Sequence, residues 1–291
     1  MSNEKVINAP IKILLLGSDT NVGQGFIAFA SDLAEFVLTP LSQASFLEAS
    51  TLDSHINQYD VVLDALSLNV ESNDDYMAQI SAFNQQVSKS NIKMFMLSSV
   101  SVFTGNKGVA YEENELPDNE EKNAKQLANI ESLVLADDNG IVLRSGWLFG
   151  GEKDDFVANT LSSLKGDQNI SLQDNFIGNP TPISDLVRVA FSLIKQRHYG
   201  AENTGVYHYA CAEDISWFGF AEAISANAKQ FNMPLQANLQ PINEYQAESS
   251  ELTLLRRQSL SCRKIFNHFG VKQRPWRASL RTLVKDLYQM N

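Results

Sequence analysis

The hydrophobic positions of this chain follow two rhythms that alternate through its first two-thirds. Short apolar runs occur at Ile11–Leu16 (IKILLL), Asp60–Ala65 (DVVLDA), Lys93–Ser98 (KMFMLS) and Gly140–Arg144 (GIVLR). Between them lie longer stretches in which apolar residues recur every three or four positions, at Val22–Leu33, Asp74–Ser88 and Glu120–Ala136. The first rhythm predicts buried strands and the second predicts helices. A further short strand is predicted at Phe36–Thr39, ending at Pro40. Strands separated by helices of this length pair in parallel through right-handed crossovers. Near-continuous apolar strands fit a sheet covered on both faces. The expected class is therefore α/β, a Rossmann-like doubly wound parallel sheet.

After Gly150 the rhythm loosens. Helices are predicted at Phe156–Leu164, Ile183–Gln196 and Trp217–Phe231, with short strands at Ile170–Leu172 and Gly205–Tyr209. The tail from Leu260 to Asn291 reads as two short helices around Pro275–Trp276. No repeat, low-complexity tract or long linker interrupts the chain. The expectation is a first lobe over residues 1–150 and a smaller C-terminal α/β lobe mainly in 151–291. Some segments of the second half should return to the first lobe.

Composition narrows the partners. The 291 residues are 44% hydrophobic and 20% charged, ordinary for a folded protein. The net charge of −11 repels phosphate backbones and argues against nucleic acid. No apolar run approaches the roughly 20 residues a membrane helix needs, and residues 1–10 lack the pattern of a signal peptide. The two cysteines, Cys211 and Cys262, are isolated, and the four histidines are scattered. Neither disulfide framework nor metal site is expected, and the cytoplasm is the simplest home.

The first candidate chemistry follows the first strand. Gly17-Ser18-Asp19-Thr20-Asn21-Val22-Gly23 is a strand–turn–helix loop of the kind whose free N–H groups hold a pyrophosphate. Glycine stands at the first and third key positions, Gly17 and Gly23. The middle one is Thr20, whose side chain narrows the approach to the backbone. Gly17, Thr20, Asn21, Val22 and Gly23 are the candidate cofactor contacts. Asp64, at the end of the third strand, lies close to where a cofactor would sit and adds a charge opposing its phosphates. After the second strand, Thr39-Pro40-Leu41-Ser42-Gln43 offers neither the acid that favours NAD nor the base that favours NADP. Either dinucleotide, or neither, remains open.

The second half carries Arg144-Ser145-Gly146-Trp147-Leu148-Phe149-Gly150, Asp174-Asn175-Phe176-Ile177-Gly178-Asn179-Pro180-Thr181, Gly205-Val206-Tyr207-His208-Tyr209 followed by Ser216-Trp217-Phe218-Gly219-Phe220-Ala221, and a tail with Phe269-Gly270-Val271 and Pro275-Trp276-Arg277. In this order and spacing the chain, from about residue 11 to 285, resembles the dTDP-4-dehydrorhamnose reductases. These are extended short-chain dehydrogenases/reductases whose relatives include the regulatory beta subunit of methionine adenosyltransferase. The resemblance implies NAD(P)H-dependent reduction of the 4-keto group of a nucleotide sugar. It implies Ser99, within Leu97–Gly105, as the catalytic hydroxyl, and Ser101, Trp147, Asn175 and Arg256 as substrate contacts.

Family catalysis needs a tyrosine with a lysine four residues later. That pattern falls on Glu121-Lys122-Asn123-Ala124-Lys125, so Lys125 is kept, as catalytic and cofactor contact, and Glu121 replaces the tyrosine. Hydride delivery to a ketone needs a proton donor for the developing alkoxide, which a lysine-lowered tyrosine supplies. A glutamate beside a lysine is held as the carboxylate and has no proton to give, unless burial raises its pKa and lets it act as the acid. Glu121 and Lys125 also have the i, i+4 spacing of an ordinary helix-surface pair. No tyrosine of the chain has a lysine four residues on. Two readings follow. One is an oxidoreductase acting on a nucleotide sugar, dTDP-linked by resemblance, whose activity is weak or lost. The other is an inactive regulatory protein that binds a nucleotide or a protein partner on the same fold. A homodimer is compatible with both.

Overall fold

The computed structural model describes residues 9–48, 56–68, 74–90, 92–136, 138–151, 155–243 and 255–289. Strands β1 (Ile11–Leu16), β2 (Phe36–Leu41), β3 (Val61–Asp64), β4 (Lys93–Ser99) and β5 (Ile141–Ser145) alternate with helices α1 (Asn21–Ala30), α2 (Gln43–Glu48), α3 (Asp74–Lys89) and α4 (Lys122–Leu135). A sixth strand comes from the second half of the chain, β10 (Gly205–Tyr209). Among the described residues the sheet order is β10-β5-β4-β3-β1-β2, and every neighbouring pair is parallel. From β1 the chain crosses one way to β2 and the other way to β3. Such a switch point opens a crevice at the carboxyl ends of the strands, where ligands bind in open α/β sheets.

The apolar runs form these strands because both faces are covered. All four residues of β3 and all five of β5 are buried. β2 runs through Pro40 to Leu41 instead of stopping before it. Proline lacks the N–H a central ladder needs, but β2 is the sheet's edge among the described residues, where proline is tolerated.

Downstream come β6 (Trp147–Phe149), α5 (Phe156–Lys165), β7 (Ile170–Gln173), β8 (Phe176–Gly178), β9 (Pro180–Pro182) and α6 (Ile183–His198). After β10 follow β11 (Ile215–Ser216), α7 (Trp217–Gln230), β12 (Leu239–Ile242), β13 (Arg256–Gln258), α8 (Arg263–Phe269) and α9 (Arg277–Gln289). The short strands pair β6 with β9, β7 with β12, and β8 with both β11 and β13. Runs of two to four residues carry no readable period, so long-range pairing decides them. The last helix has 13 residues and is not short.

Helix α6 covers the first sheet: Phe191 packs on Phe26, Phe29 and Phe36 with ring centroids 4.5–5.3 Å apart. A second core gathers Phe149, Val157, Leu161, Phe220, Ile224, Leu280 and Val284 from β6, α5, α7 and α9, with Trp276 just before α9. No described helix is long and apolar enough to cross a membrane.

Candidate cleft at the switch point

The glycine turn is built as its spacing predicts. Gly17 has φ +77°, and a Cβ there would lie 2.7 Å from the Leu66 backbone. Only glycine lets the loops after β1 and β3 meet so closely. The Gly17 and Ser18 amides both donate to the Leu41 carbonyl, tying in β2. Thr20 is the N-cap of α1. Its Oγ1 accepts from the Gly23 amide at 3.0 Å and donates to the Gly17 carbonyl at 2.8 Å. The substitution that costs backbone access therefore also takes one helix-terminal donor. The side chain of Asn21 abuts Gly151, where a Cβ would collide with its amide. Asp155 accepts from the Gly150 and Gly151 amides at 2.6 and 3.2 Å and holds that segment across the turn. Val22 and Gly23 are buried against the sheet.

Asp64 is fully buried and bent back onto its own loop. It accepts from the Leu66 and Ser67 amides and, at 2.5 Å, from the Ser67 hydroxyl, which also meets Tyr76 at 3.0 Å. Burial pushes its carboxyl above the usual range, against those hydrogen bonds. Here the residue braces the loop that follows β3. Asp19, in the glycine turn, accepts from the Gln43 amide at 3.0 Å.

At the end of β4, the Ser99 hydroxyl caps a 3-10 turn, Val100–Val102, by accepting from the Ser101 amide. Ser101 is exposed, and its carbonyl accepts from Asn119. One residue below Ser99 the interior is polar. Ser98 donates to Glu131 of α4 at 2.5 Å, and Glu131 receives Nε and Nη2 of Arg144 at 2.6–3.2 Å. His208 faces the same arginine, and burial, then that guanidinium, pushes its pKa down to about 3. His208 is a packed interior residue.

Helix α4 starts at Lys122, and Glu121 is its N-cap residue without a side-chain cap bond. Lys125 does not pair with Glu121 as its i, i+4 spacing suggests. It pairs with Glu120, outside the helix, at an exposed position. Because Glu121 lies outside the helix, its side chain leaves the direction on which i, i+4 pairing depends.

Three of the four substrate-contact candidates meet around Phe176. The Trp147 ring lies edge-on to it at 5.9 Å, the Arg256 guanidinium sits over it at 4.6 Å, and Asn175 accepts from the Arg256 amide at 2.9 Å. Trp147 also stacks on Trp217 at 3.9 Å and donates to Gln258 at 3.3 Å. Arg256 donates to the Thr104 carbonyl at 2.8 Å. Ser101 belongs to the neighbouring 3-10 turn. Sequence reasoning missed Phe176, Gln258, Glu131 and the Asn21–Gly151 contact, since each acts through partners distant in sequence. Among the described residues no group of His, Cys, Asp and Glu is arranged to hold a metal.

The family model of the RmlD substrate binding domain matches residues 11–289. The chain belongs to this family. It is 28% identical over 202 residues to a dTDP-4-dehydrorhamnose reductase of Aggregatibacter actinomycetemcomitans, covering 66% of each chain. Against the Burkholderia thailandensis reductase the identity is 26% over 204 residues, 64% of this chain and 65% of the relative. The matches thus span just under two thirds of these relatives. The fold is shared with the dTDP-4-dehydrorhamnose reductase of Clostridium acetobutylicum, with TM-score 0.78 and 18% identity over 96% of this chain and 100% of that one. It is shared too with the Bacillus anthracis enzyme solved with NADP, with TM-score 0.74 and 16% identity over 97% and 100%.

Proposed function

We propose that this chain holds a nicotinamide dinucleotide and a nucleotide sugar in the family's cleft, and that its reduction of the sugar is weak or absent. The activity of the relatives, with NADP bound in one solved neighbour, supports the ligand class. The turn keeps the shape of a pyrophosphate-binding loop: Gly17 packs on the Leu66 backbone, Gly23 packs on the Gly17 carbonyl, and the turn leads straight into the N-terminus of α1. Asn21 and Val22 at the start of α1 would hold the phosphates, Gly17 and Gly23, whose amides donate to Leu41 and Thr20, would shape the turn, and Thr20 would limit how closely the phosphates come. Neither acid nor base follows β2, so NAD and NADP are both admitted. Trp147, Asn175 and Arg256, with Ser101 nearby, would receive the sugar nucleotide. A bound reduced nicotinamide supplies hydride, and the protein must supply the proton.

The observation that carries the loss of turnover is the pairing of Lys125 with Glu120 in solvent, with a carboxylate, Glu121, beside it. Ser99 then stands without a proton-donating neighbour from that pair. Thermal unfolding with NADPH, NADH and dTDP tests ligand binding. A ligand at 100 times its Kd stabilises by about 2.7 kcal/mol, a shift of several degrees. NADPH oxidation with a 4-keto nucleotide sugar tests turnover. Oxidation at ordinary enzyme rates, abolished by Lys125→Ala, would overturn the proposal. Absence of a shift with every ligand would favour the second reading, a partner-binding protein.

A further inference from the structure

We infer that the face of α4 turned toward the end of β4 carries Asn123 and Leu127, and that a proton-donating pair would have to stand there rather than at Glu121 and Lys125. The inference deepens the proposed function by locating the vacated pair, and it rests on reading the cleft as the family's.

The anchor is Glu131. Its carboxylate takes the Ser98 hydroxyl and the Arg144 guanidinium, so the direction of its side chain marks the stripe of α4 that looks at the ends of β4 and β5. Residues on a helix advance by about 100° and 1.5 Å each. Leu127, four residues earlier, therefore lies within about 40° of Glu131 and one turn nearer the helix start. Asn123 lies one turn further along that stripe. Helix α4 runs opposite to β4, so these turns climb from Ser98 toward Ser99 and the Val100–Val102 turn.

Burial agrees. Ala124, Gln126, Leu127, Ile130, Glu131 and Val134 are buried, whereas Lys125 is 53% exposed and bound to an exposed glutamate; Asn123, in the first turn, is exposed, and helical phase alone places it over Leu127. Two positions are separated by about 200°, so Lys125 projects nearly opposite to Leu127. Glu121 precedes the helix altogether.

The chemistry changes accordingly. Asn123 carries an amide, which donates a hydrogen bond but transfers no proton near neutral pH. Leu127 carries no charge to lower the pKa of a neighbouring phenol. Both halves of the pair are absent from this face, and a tyrosine at 121 would not recreate it.

Two variants carrying 13Cζ-labelled tyrosine separate the registers without any ligand. Glu121→Tyr should titrate at about 10, as an exposed phenol does. Asn123→Tyr with Leu127→Lys should titrate at least tenfold more acidic. The assignment is overturned if the tyrosine at 121 is the one displaced, or if the two titrate alike. Leu127 is buried, so the double variant can fail to fold. A nitroxide on Ser99→Cys with native α4 then decides. It should broaden the Asn123 amide and Leu127 methyl resonances several-fold more than those of the Lys125 Cε. Equal or reversed broadening overturns the assignment. Neither result depends on cofactor or sugar binding, so a missing thermal shift would remove the functional reading and leave this register standing.

Discussion

At the scale of single residues, the buried polar line beneath Ser99 governs pH response and stability. Unfolded His208 takes up a proton near its ordinary value of about 6.5, while in the fold burial and Arg144 hold it down to about 3. Below pH 6.5 the unfolded state therefore binds more protons. His208 contributes stability that is fully present above that value and is lost as pH falls toward 3, with a slope approaching about 1.4 kcal/mol per pH unit. Urea midpoints at pH 7 and pH 5 should differ more in the native protein than in His208→Gln. Glu131 and Arg144 are 3% exposed at their side chains. Removing one partner strands the other charge, so Glu131→Gln should destabilise by about 3–5 kcal/mol in urea unfolding. Thr20→Ala should cost about 1 kcal/mol through loss of the α1 cap. Thr20→Gly should cost a few tenths and enlarge the thermal shift with NADPH, because it frees the approach to the turn.

At the scale of elements, glycines set how closely neighbouring segments meet. Gly178 in β8 lies directly under the Trp147 ring, and a Cβ there would overlap it. Gly178→Ala should expel Trp147 from its stack on Trp217, which a change in tryptophan fluorescence and near-ultraviolet dichroism would report. The same change should weaken any nucleotide-sugar shift while leaving a dinucleotide shift in place, since the glycine turn is untouched. The elements also show why short strands escape sequence reading. β6, β8, β9 and β13 have three residues each. Their conformation is fixed by partners as remote as Gly105, whose carbonyl accepts from the Arg257 amide.

At the scale of the whole molecule, two cores are joined through β6 and its following glycines. Trp276 is fully buried in the second core and donates to the Glu213 carbonyl at 3.0 Å. Trp276→Ala should cost about 3–5 kcal/mol. If the two cores unfold together, thermal scans will show one transition lowered as a unit; a separate early transition would mean that the second core melts alone.

The parallel sheet, its central strands and the glycine turn were legible in the chain because they rest on local signals: continuous apolar runs, helical periodicity and glycines at fixed spacing. The family was legible because its segments recur in order. The direction in which α4 presents its side chains was not legible. Glu121 and Lys125 stand at a spacing that reads as a helix pair, yet the phase of α4 is set by Glu131 binding Ser98 and Arg144, 33 and 13 residues away. Likewise, sequence placed Asp64 near a cofactor, and only the tertiary structure turned its carboxylate back onto Leu66 and Ser67. Sequence determines which residues alternate between water and core. Which of them share a cleft is decided when distant polar groups must find partners in the same buried space.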